Sequence, residues 1–240
     1  MKIDGDLAEI IGIQIGDGCI SVTKRYKEFY IGGDLIEERE YHDKWVAPLL
    51  ERKIMIPLTG KRTNYKEYPC TGVYGFYCFD KRIVEFFNKL GISPGSKINL
   101  GIPKQILEDP YLAKRCLRGL FDTDGNIYFD RNRSAKFPTH NRPIIKIGTV
   151  SKILSDQIFD LLFELGFHPR KKKPYKGKRD KNTVHTIMLY RIGDVYKFIR
   201  NIGFKSSKHY TKWLIFEKFG ECPSGTNLSQ RKKLLEQESL

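Results

Sequence analysis

The chain has 240 residues, a formal net charge of +15 and 40% hydrophobic residues. This length suits one large domain or two small ones, and the hydrophobic content is sufficient for an ordinary core. No apolar run is long enough to span a bilayer, and no signal peptide opens the chain. These features exclude a membrane-spanning or secreted protein, so we expect an intracellular one.

The positive charge is concentrated in the second part of the sequence. Residues 1–100 hold 15 lysines and arginines against 14 acids, so residues 101–240 hold 28 against 14. Such a surface suits a polyanionic partner, although it also occurs as a generic solubilising surface. The five cysteines form no CxxC pair, which favours reduced thiols over a zinc site.

Apolar periodicity and capping residues predict seven elements in the first part of the chain. Asp4 or Asp6 can cap the first helix, and Gly18 ends it. Pro48 lies inside the second predicted helix, where we expect a kink. The elements are a helix over 4–18, strands over 19–26 and 29–35, a helix over 38–52, strands over 56–66 and 70–79, and a helix over 81–90.

The same order follows after a segment rich in glycine and proline, with Asp109 and Pro110 opening the next helix. These elements are a helix over 109–125, strands over 126–132 and 143–151, a helix over 151–165, strands over 168–178 and 183–191, and helices over 194–202 and 206–219. We divide the chain into an N-terminal half (1–92), a linker (93–108), a C-terminal half (109–220) and a polar, frayed tail (221–240).

Residue offsets support an internal duplication. The offset is 107 residues at the end of the first helix of each half, 116 in the second strand and 112 after the last helix, as expected for a duplicated unit with loop insertions. The repeated pairs are Gly12 and Gly119, Asp17 and Asp124, Gly18 and Gly125, Gly32 and Gly148, and Gly91 and Gly203.

The first helix of each half carries small residues four positions apart. Gly12 and Gly16 form one such pair, and Gly119 and Thr123 form the other. Residues at this spacing share one helix face, and small side chains there allow two helix backbones to approach closely. We expect these four residues to form a helix interface.

Packing of the two helices would bring Asp17 and Asp124 together. Each acid follows a helix C-terminus, where the dipole disfavours negative charge, and neighbouring carboxylates repel each other. A divalent cation relieves both effects and leaves room for substrate phosphate and water. One acid–glycine pair is often only a helix cap, but two equivalent copies in a basic protein favour a metal site.

Two other motifs share residues 121–126. An EF-hand loop starting at Asp122 would need glycine at its sixth position and glutamate at its twelfth, where this chain has Ile127 and Arg133. The DxDG signature of haloacid-dehalogenase-type phosphatases would use Asp122 as nucleophile after a buried strand. The helical spacing of the preceding charged residues, and Ile15 at the matching position of the first copy, argue against that interpretation.

The two segments, IIGIQIGDG from Ile10 and LRGLFDTDG from Leu117, resemble the motif of the LAGLIDADG homing endonucleases in the single-chain form with two copies. The first copy departs from the motif because Ile15 replaces its first acid. The resemblance implies an α+β fold of two pseudo-symmetric αββαββα halves. Each half would contribute a curved antiparallel four-stranded sheet, and the two motif helices would join the halves.

The resemblance also implies a metal centre. The second motif acid of the family is a metal ligand, so Asp17 and Asp124 inherit this role. Gly16 and Thr123 belong to the same metal site, and Asp122 becomes a structural group. The implied cofactor is Mg²⁺, with Mn²⁺ as a substitute and with Ca²⁺ binding without supporting cleavage.

The family places a basic residue before the short helix that follows the fourth strand. Lys81 matches this position in the first half. The second half has Gly193 there, with Arg191 two residues earlier, so the second assignment is less direct. Lys81 and Arg191 would polarise water or neutralise developing charge; a phosphate contact or a plain surface position is the alternative for either.

The implied partner is double-stranded DNA, bound by a monomer across the major groove. Alternate strand residues on the face away from the helices would contact bases, and the basic hairpin that begins at Arg170 would contact phosphates. The charge asymmetry predicts unequal half-sites and a non-palindromic target. The candidates are Ser21, Thr23, Arg25, Arg62, Asn64, Lys66, Tyr128, Asp130, Asn132, Arg170, Lys172 and Lys176.

Three functions are compatible with these residues: a metal-dependent site-specific DNA endonuclease, a maturase that binds intron RNA, and a DNA-binding regulator without cleavage. Retention of both Asp17 and Asp124 favours the endonuclease, because binding alone does not need paired carboxylates. The first residue, Met1, and the final Glu-Ser-Leu favour an intron-encoded protein over an intein host.

Overall fold

The computed structural model describes residues 2–131, 140–178 and 180–237. Helix α1 (Gly5–Gly16) opens the N-terminal half and is capped by Asp4, whose carboxylate accepts the Leu7 N–H at 2.9 Å. The following elements are β1 (Gly18–Val22), β2 (Lys27–Asp34), the helical segments α2 (Arg39–Tyr41), α3 (Ala47–Leu50) and α4 (Ile56–Thr59), β3 (Lys66–Tyr68), β4 (Val73–Cys78) and α5 (Lys81–Lys89).

A 3₁₀ turn (Lys97–Asn99) and helix α6 (Lys104–Leu107) lead to the C-terminal half. Its first helix is α7 (Pro110–Thr123), and the Asp109 carboxylate caps it by accepting the Tyr111 N–H at 2.8 Å. The following elements are β5 (Gly125–Arg131), β6 (His140–Thr149), α8 (Lys152–Glu164), β7 (Arg170–Lys171), β8 (His185–Leu189), α9 (Ile192–Asn201), α10 (Ser207–Phe219) and α11 (Leu228–Glu236).

Each half contains one antiparallel four-stranded sheet with the same strand order. The orders are β1-β2-β4-β3 and β5-β6-β8-β7. Buried side chains on one face of each sheet, such as Phe29 and Ile145, belong to the hydrophobic core, so the opposite face is left open. This arrangement confirms the predicted α+β fold of two αββαββα halves.

Helices α1 and α7 pack against each other along their small residues. A Cβ atom added at Gly12 would overlap the Cys116 carbonyl oxygen, and one added at Gly119 would overlap the Glu9 carbonyl oxygen. Gly16 lies equally close to the Thr123 side chain. The two backbones therefore touch directly, which places the ends of both helices side by side.

A buried carboxylate strengthens this interface near the start of α1. Glu9 is fully buried and lies 2.9 Å from Arg115 and 2.5 Å from Arg118, both on α7. Trp45 donates its indole N–H to Glu9 at 2.6 Å. Because a buried charge needs close partners, these contacts fix how the two halves meet.

The predicted strand over 56–66 is wrong, because residues 39–59 form one continuous helical stretch. Its α-helical segments are separated by π-helical turns at His42–Val46 and Glu51–Met55. Each π turn directly precedes a segment with proline at its second position, Pro48 or Pro57. The wider turn accommodates the proline ring, which would otherwise clash inside an α-helix. The helical stretch therefore continues past both prolines and ends only at Gly60 (φ +72°).

Two predicted strands are also too long. The Thr23 hydroxyl accepts the N–H groups of Arg25 and Tyr26 at 3.2 and 3.1 Å, so Thr23 and Arg25 lie in the β1–β2 turn. Strand β7 contains only two residues, and Pro174, which has no N–H for the ladder, lies three residues beyond its end. Lys172 and Lys176 therefore lie in the connection to β8 and not in a strand.

The expectation of a frayed end is wrong for residues 228–236. They form α11, which begins with a reciprocal capping box between Asn227 and Gln230 and packs on α10. Only Leu228 and Arg231 are buried in this helix, so its sequence gives a weak amphipathic signal. Within the part of the chain that the structure describes, no helix is long and apolar enough to cross a membrane.

Candidate metal centre

The two motif acids, Asp17 and Asp124, are the C-terminal cap residues of α1 and α7. The Asp17 N–H bonds to the Ile13 carbonyl and the Asp124 N–H to the Leu120 carbonyl, both at 3.0 Å. Each carboxylate therefore extends from the end of a helix whose partner lies directly beside it. Packing through the glycines brings Asp17 and Asp124 into one site.

The electrostatics of this site suit a cation. Burial raises the pKa of Asp17 well above its usual value, and the negative charges of Glu38 and Asp124 raise it further. Burial also raises the pKa of Asp124, against the positive charge of Lys97. Two carboxylates that resist ionisation together would be stabilised by a divalent ion between them, so the residues fit the implied metal.

The carboxylates of Asp17 and Asp124 alone do not complete the coordination of a divalent ion. Among the described residues, no group of three or more His, Cys, Asp or Glu side chains is arranged to hold a metal. A divalent ion here would need backbone carbonyls, water or substrate oxygens as well as the two carboxylates. A cavity of 270 Å³ beside Asp124 and Lys97 provides room for such groups.

The other two predicted metal-site residues have defined partners. The Gly16 carbonyl accepts a hydrogen bond from Lys97. The Thr123 hydroxyl donates within its own helix towards Gly119 and Leu120, at 2.9 and 3.1 Å. Gly16 and Thr123 therefore line the site mainly as the contact between helices, and the Gly16 carbonyl also anchors a lysine.

Two lysines supply the positive charge of the site. The charges of Lys97 and Lys208 lower the pKa of both motif acids, against the effect of burial. Lys208 lies 2.8 Å from Glu38, whose other carboxylate oxygen accepts the Asp34 N–H at 2.6 Å. The site therefore combines three carboxylates with two ammonium groups.

The sequence contained a signal for these lysines that the offsets could have revealed. Ser96-Lys97 and Ser207-Lys208 are separated by 111 residues, close to the offset of 112 between Gly91 and Gly203 just before them. Ser96 and Lys97 follow α5 in the linker, and Ser207 and Lys208 follow α9 as the first residues of α10. The repeat was therefore present in the segments that follow these two helices.

The predicted basic residues, Lys81 and Arg191, are not among the main groups that shift the pKa of Asp17 or Asp124. Lys81 begins α5 and Arg191 is the N-cap residue of α9, and both are exposed. The positive groups that act on Asp17 and Asp124 come instead from segments that follow these helices. The catalytic roles of Lys81 and Arg191 therefore stay predictions.

Asp122, the other acid of the second copy, has a structural position. It is fully buried, and its carboxylate accepts the backbone N–H groups of Lys205 and Ser206 at 2.9–3.0 Å. Burial raises its pKa to about 8, although these two N–H groups oppose the shift. Asp122 thus holds the chain that enters α10, the helix carrying Lys208.

The open face of the first sheet is rich in tyrosine and nearly neutral. Tyr30 pairs with Tyr77 across β2 and β4, with their ring centroids 4.5 Å apart. Of the predicted residues, Ser21 and Lys66 lie on this face, while Arg62 and Asn64 lie in the irregular segment before β3, where Arg62 is 3.8 Å from Glu51. The face comprises Cys19, Ser21, Glu28, Tyr30, Lys66, Tyr68 and Tyr77.

The open face of the second sheet is more basic. Lys146 lies over the Tyr128 ring, 5.1 Å from its centroid. Sequence reasoning identified Tyr128, Asp130 and Arg170 here but missed Arg142 and Lys146 of β6, and Asn132 lies outside the described residues. The face comprises Asn126, Tyr128, Asp130, Arg142, Lys146, Arg170 and Thr186.

Comparison with known proteins agrees with this geometry. The family model described as LAGLIDADG-like domain matches residues 112–203. The homing endonuclease I-DmoI, solved as mesophilic variants, aligns with a TM-score of 0.57 at 16% identity over 83% of this chain and 95% of its own. I-LtrWI, a LAGLIDADG homing endonuclease solved bound to target DNA, aligns with a TM-score of 0.58 at 13% identity over 99% and 98%.

Residues 112–203 match a LAGLIDADG-like domain, and the fold of the chain is similar to that of the LAGLIDADG homing endonucleases. Its two motif copies lie in α1 and α7, and the family model covers the C-terminal copy and most of the half that follows it. The N-terminal copy, with Ile15 where the motif has its first acid, is the more divergent one.

The sequence relatives of this chain are much longer proteins. The replication factor C small subunit of Methanocaldococcus jannaschii is 25% identical over 209 residues, 87% of this chain and 10% of that protein. The DNA polymerase of Thermococcus sp. strain GE8 is 23% identical over 213 residues, 86% of this chain and 11% of that protein. The chain therefore spans about a tenth of the length of these relatives.

Proposed function

We propose that this protein is a homing endonuclease that cleaves both strands of a long, non-palindromic DNA target in a metal-dependent reaction. The observation that carries this proposal is the convergence of Asp17 and Asp124 at the ends of two touching helices, with an open sheet face on either side. Binding without cleavage would not require two neighbouring carboxylates whose pKa values are both raised.

The structural relatives support the choice of substrate and cofactor. I-DmoI has been solved in complex with DNA and Mn, and with DNA and Ca, at TM-scores of 0.56 and 0.59 to this chain. The net charge of +15 suits a DNA backbone. We therefore propose double-stranded DNA as the substrate and Mg²⁺ as the cofactor, with Mn²⁺ as a functional substitute.

The residues of the site would act by charge and position. A bound divalent ion would lower the pKa of a water molecule and polarise a phosphoryl oxygen. Asp17 and Asp124 would hold that ion. Lys97 and Lys208 offset the negative charge that develops on phosphate and the leaving oxygen, and Lys97 is held by the Gly16 carbonyl for this role.

The two open faces would make different contributions to DNA recognition. Arg142, Lys146 and Arg170 on the second face suit guanine contacts or phosphates. The tyrosines of the first face, around Tyr30 and Tyr77, offer rings and hydroxyl groups and little positive charge. The C-terminal half would therefore supply more electrostatic affinity than the N-terminal half.

Selection from a library of randomised DNA duplexes tests the proposal. The protein is incubated with the library and Mg²⁺, and the cleaved molecules are sequenced. We expect one long, asymmetric motif cut on both strands. Asp17→Asn and Asp124→Asn should lower the cleavage rate by about 10³-fold or more, whereas Asp160→Asn on the exposed surface of α8 should leave it unchanged.

The same experiment separates the alternatives. Specific DNA enrichment without cleavage by the parent protein would indicate a DNA-binding regulator. Absence of both cleavage and enrichment, with tight binding of structured intron RNA, would indicate a maturase. Undiminished cleavage by both Asp→Asn variants would contradict the assigned site.

A further inference from the structure

The last two helices connect the C-terminal half to one loop of the N-terminal half. Three ion pairs form this connection, which we call the C-terminal clasp. They are Glu37 with Arg231, Glu38 with Lys208, and Glu40 with Lys232. The clasp lies apart from the contact between α1 and α7, and its middle pair contains a lysine of the metal centre.

Arg231 is the most buried member of the clasp, with 1% of its side chain exposed. Its guanidinium donates to Glu37, to the Thr226 carbonyl and, at 2.9 Å, to the Thr211 hydroxyl. Glu37 uses its second oxygen to accept the Leu228 N–H at 2.7 Å. A fully buried arginine with three partners has one defined position, so it can fix the elements that it joins.

Arg231 joins α10 to the segment that contains Glu37 and Glu38. These two elements carry the Lys208–Glu38 ion pair of the metal centre. Thr211 follows Lys208 by three residues on α10, so it lies close to Lys208 on that helix. Glu37 immediately precedes Glu38, the ion-pair partner of Lys208. Arg231 therefore connects to both sides of the Glu38–Lys208 pair at once, although it belongs to a helix that does not reach the acids.

The entry to α10 is fixed independently. Asp122 holds the backbone of Lys205 and Ser206 from α7. This contact sets where α10 begins, and Trp213 and Ile215 of the same helix are buried in the hydrophobic core. The Arg231 contact to Thr211 supplies a further point of attachment on the same helix.

We infer that Arg231 is a positioning residue for the metal centre: through the C-terminal clasp it holds Lys208 beside Asp17 and Asp124. This inference rests on the proposed function for the identity of the site. It adds that a helix near the C-terminus, α11, is part of the catalytic unit. Loss of Arg231 would allow Lys208 to move away from the acids while the acids remain in place.

The test uses Mn²⁺ binding, measured by electron paramagnetic resonance on the full chain without DNA. Removal of a positive charge beside the acids should tighten Mn²⁺ binding, so Lys208→Met should increase the affinity about three- to tenfold. Arg231→Met should produce an increase of the same sign, since it displaces the same charge. The double variant should bind no more tightly than Lys208→Met alone, because both changes act through one group.

Arg115→Met is the matched control. Arg115 is also an arginine that joins the halves, but it contacts Asp6 and Glu9 at the start of α1, away from the acids. It should lower the melting temperature and leave Mn²⁺ affinity unchanged. Unchanged or weaker Mn²⁺ binding in Arg231→Met, or independent effects of Arg231→Met and Lys208→Met, would overturn the inference.

Cleavage of the selected target gives the second readout. Single-turnover rates with saturating protein should fall about 10- to 100-fold in Arg231→Met, with little change in DNA affinity, because the reacting groups are misplaced and the binding faces are not. If the parent protein does not cleave but the Mn²⁺ cycle behaves as described, the proposed function fails and the positioning role stands. Equal cleavage rates in the parent protein and Arg231→Met would count against the positioning role.

Discussion

The role of a single residue in this protein depends on its burial and on the groups around it. Asp122 and Asp124 are two positions apart, yet one is fully buried under the start of α10 and the other faces the metal centre. The sequence was sufficient to distinguish them, because only Asp124 has an equivalent acid in the first copy, at Asp17. The contacts of Asp122 with Lys205 and Ser206 could not be predicted, since they join positions more than 80 residues apart.

Replacement of Asp17 by Asn should stabilise the metal-free protein at neutral pH. The pKa of Asp17 is raised in the folded state, so its contribution to stability is present below the ordinary carboxyl pKa and is lost as the pH rises through the raised value. Thermal melting of the parent protein and Asp17→Asn in chelator, from pH 4 to 8, checks this. The parent should lose more stability than the variant over that interval; parallel curves would contradict the prediction.

Replacement of Asp122 by Ala should destabilise the protein by about 1–3 kcal/mol, because the N–H groups of Lys205 and Ser206 lose their acceptor. Asp122→Asn keeps one acceptor oxygen and should cost less. The pKa of about 8 means that the stability contributed by Asp122 is complete at acidic pH and declines as the pH rises towards 8. Urea unfolding of the three proteins at pH 5 and pH 8.5 measures both effects.

At the scale of elements, the helices were easier to predict than the strands. Caps at Asp4, Asp109 and Ser151 act locally, and the structure uses all three. The segment over 56–66 was mistaken for a strand because two π turns let the helix pass Pro48 and Pro57, and such turns leave no local sequence signal. Lys97 and Lys208 were missed for a related reason: their positions depend on segments that fold against the other half.

The packing of α1 on α7 makes a prediction about glycine. Gly12→Ala should destabilise the protein by about 1–3 kcal/mol or more, because the added methyl would overlap the Cys116 carbonyl and force the helices apart. Gly193→Ala in α9 is the control, since a Cβ there meets no atom within 4 Å. It should be neutral or stabilising by about 0.5–1 kcal/mol. Equal stability of both variants in urea unfolding would show that the helices have room to adjust.

For the whole molecule, the two halves share a fold and differ in surface chemistry. The duplication was visible in the sequence as repeated glycines and acids, and the charge asymmetry was visible as counts of lysine and arginine. Which basic residues lie on the open faces was not visible. The correct set depends on strand register, and a shift by one residue moves every side chain to the other face.

Unequal half-sites should follow from this asymmetry. Base substitutions in the half-site bound by the second sheet should cost more binding free energy than those in the other half-site. Replacement of Arg142 and Lys146 by Met should reduce the slope of log affinity against log salt by about 1 for each side chain that neutralises a phosphate. Lys66→Met is the comparison on the first sheet. Equal losses of free energy from both half-sites would argue against unequal roles for the two faces.

The linker and α10 each leave one half and attach to the other. Ser151 donates its hydroxyl to the Leu100 carbonyl at 2.7 Å, and Gln157 accepts the Ile102 N–H at 2.7 Å, so the chain around Lys97 is already held by α8 of the C-terminal half. Each half therefore holds a segment that carries a lysine of the metal centre and belongs to, or leads from, the other half. A chimera that joins one half to the half of another protein must keep Lys97 and Lys208 together with the surfaces that hold them. A junction placed at the boundary of either sheet would separate each lysine from its surface.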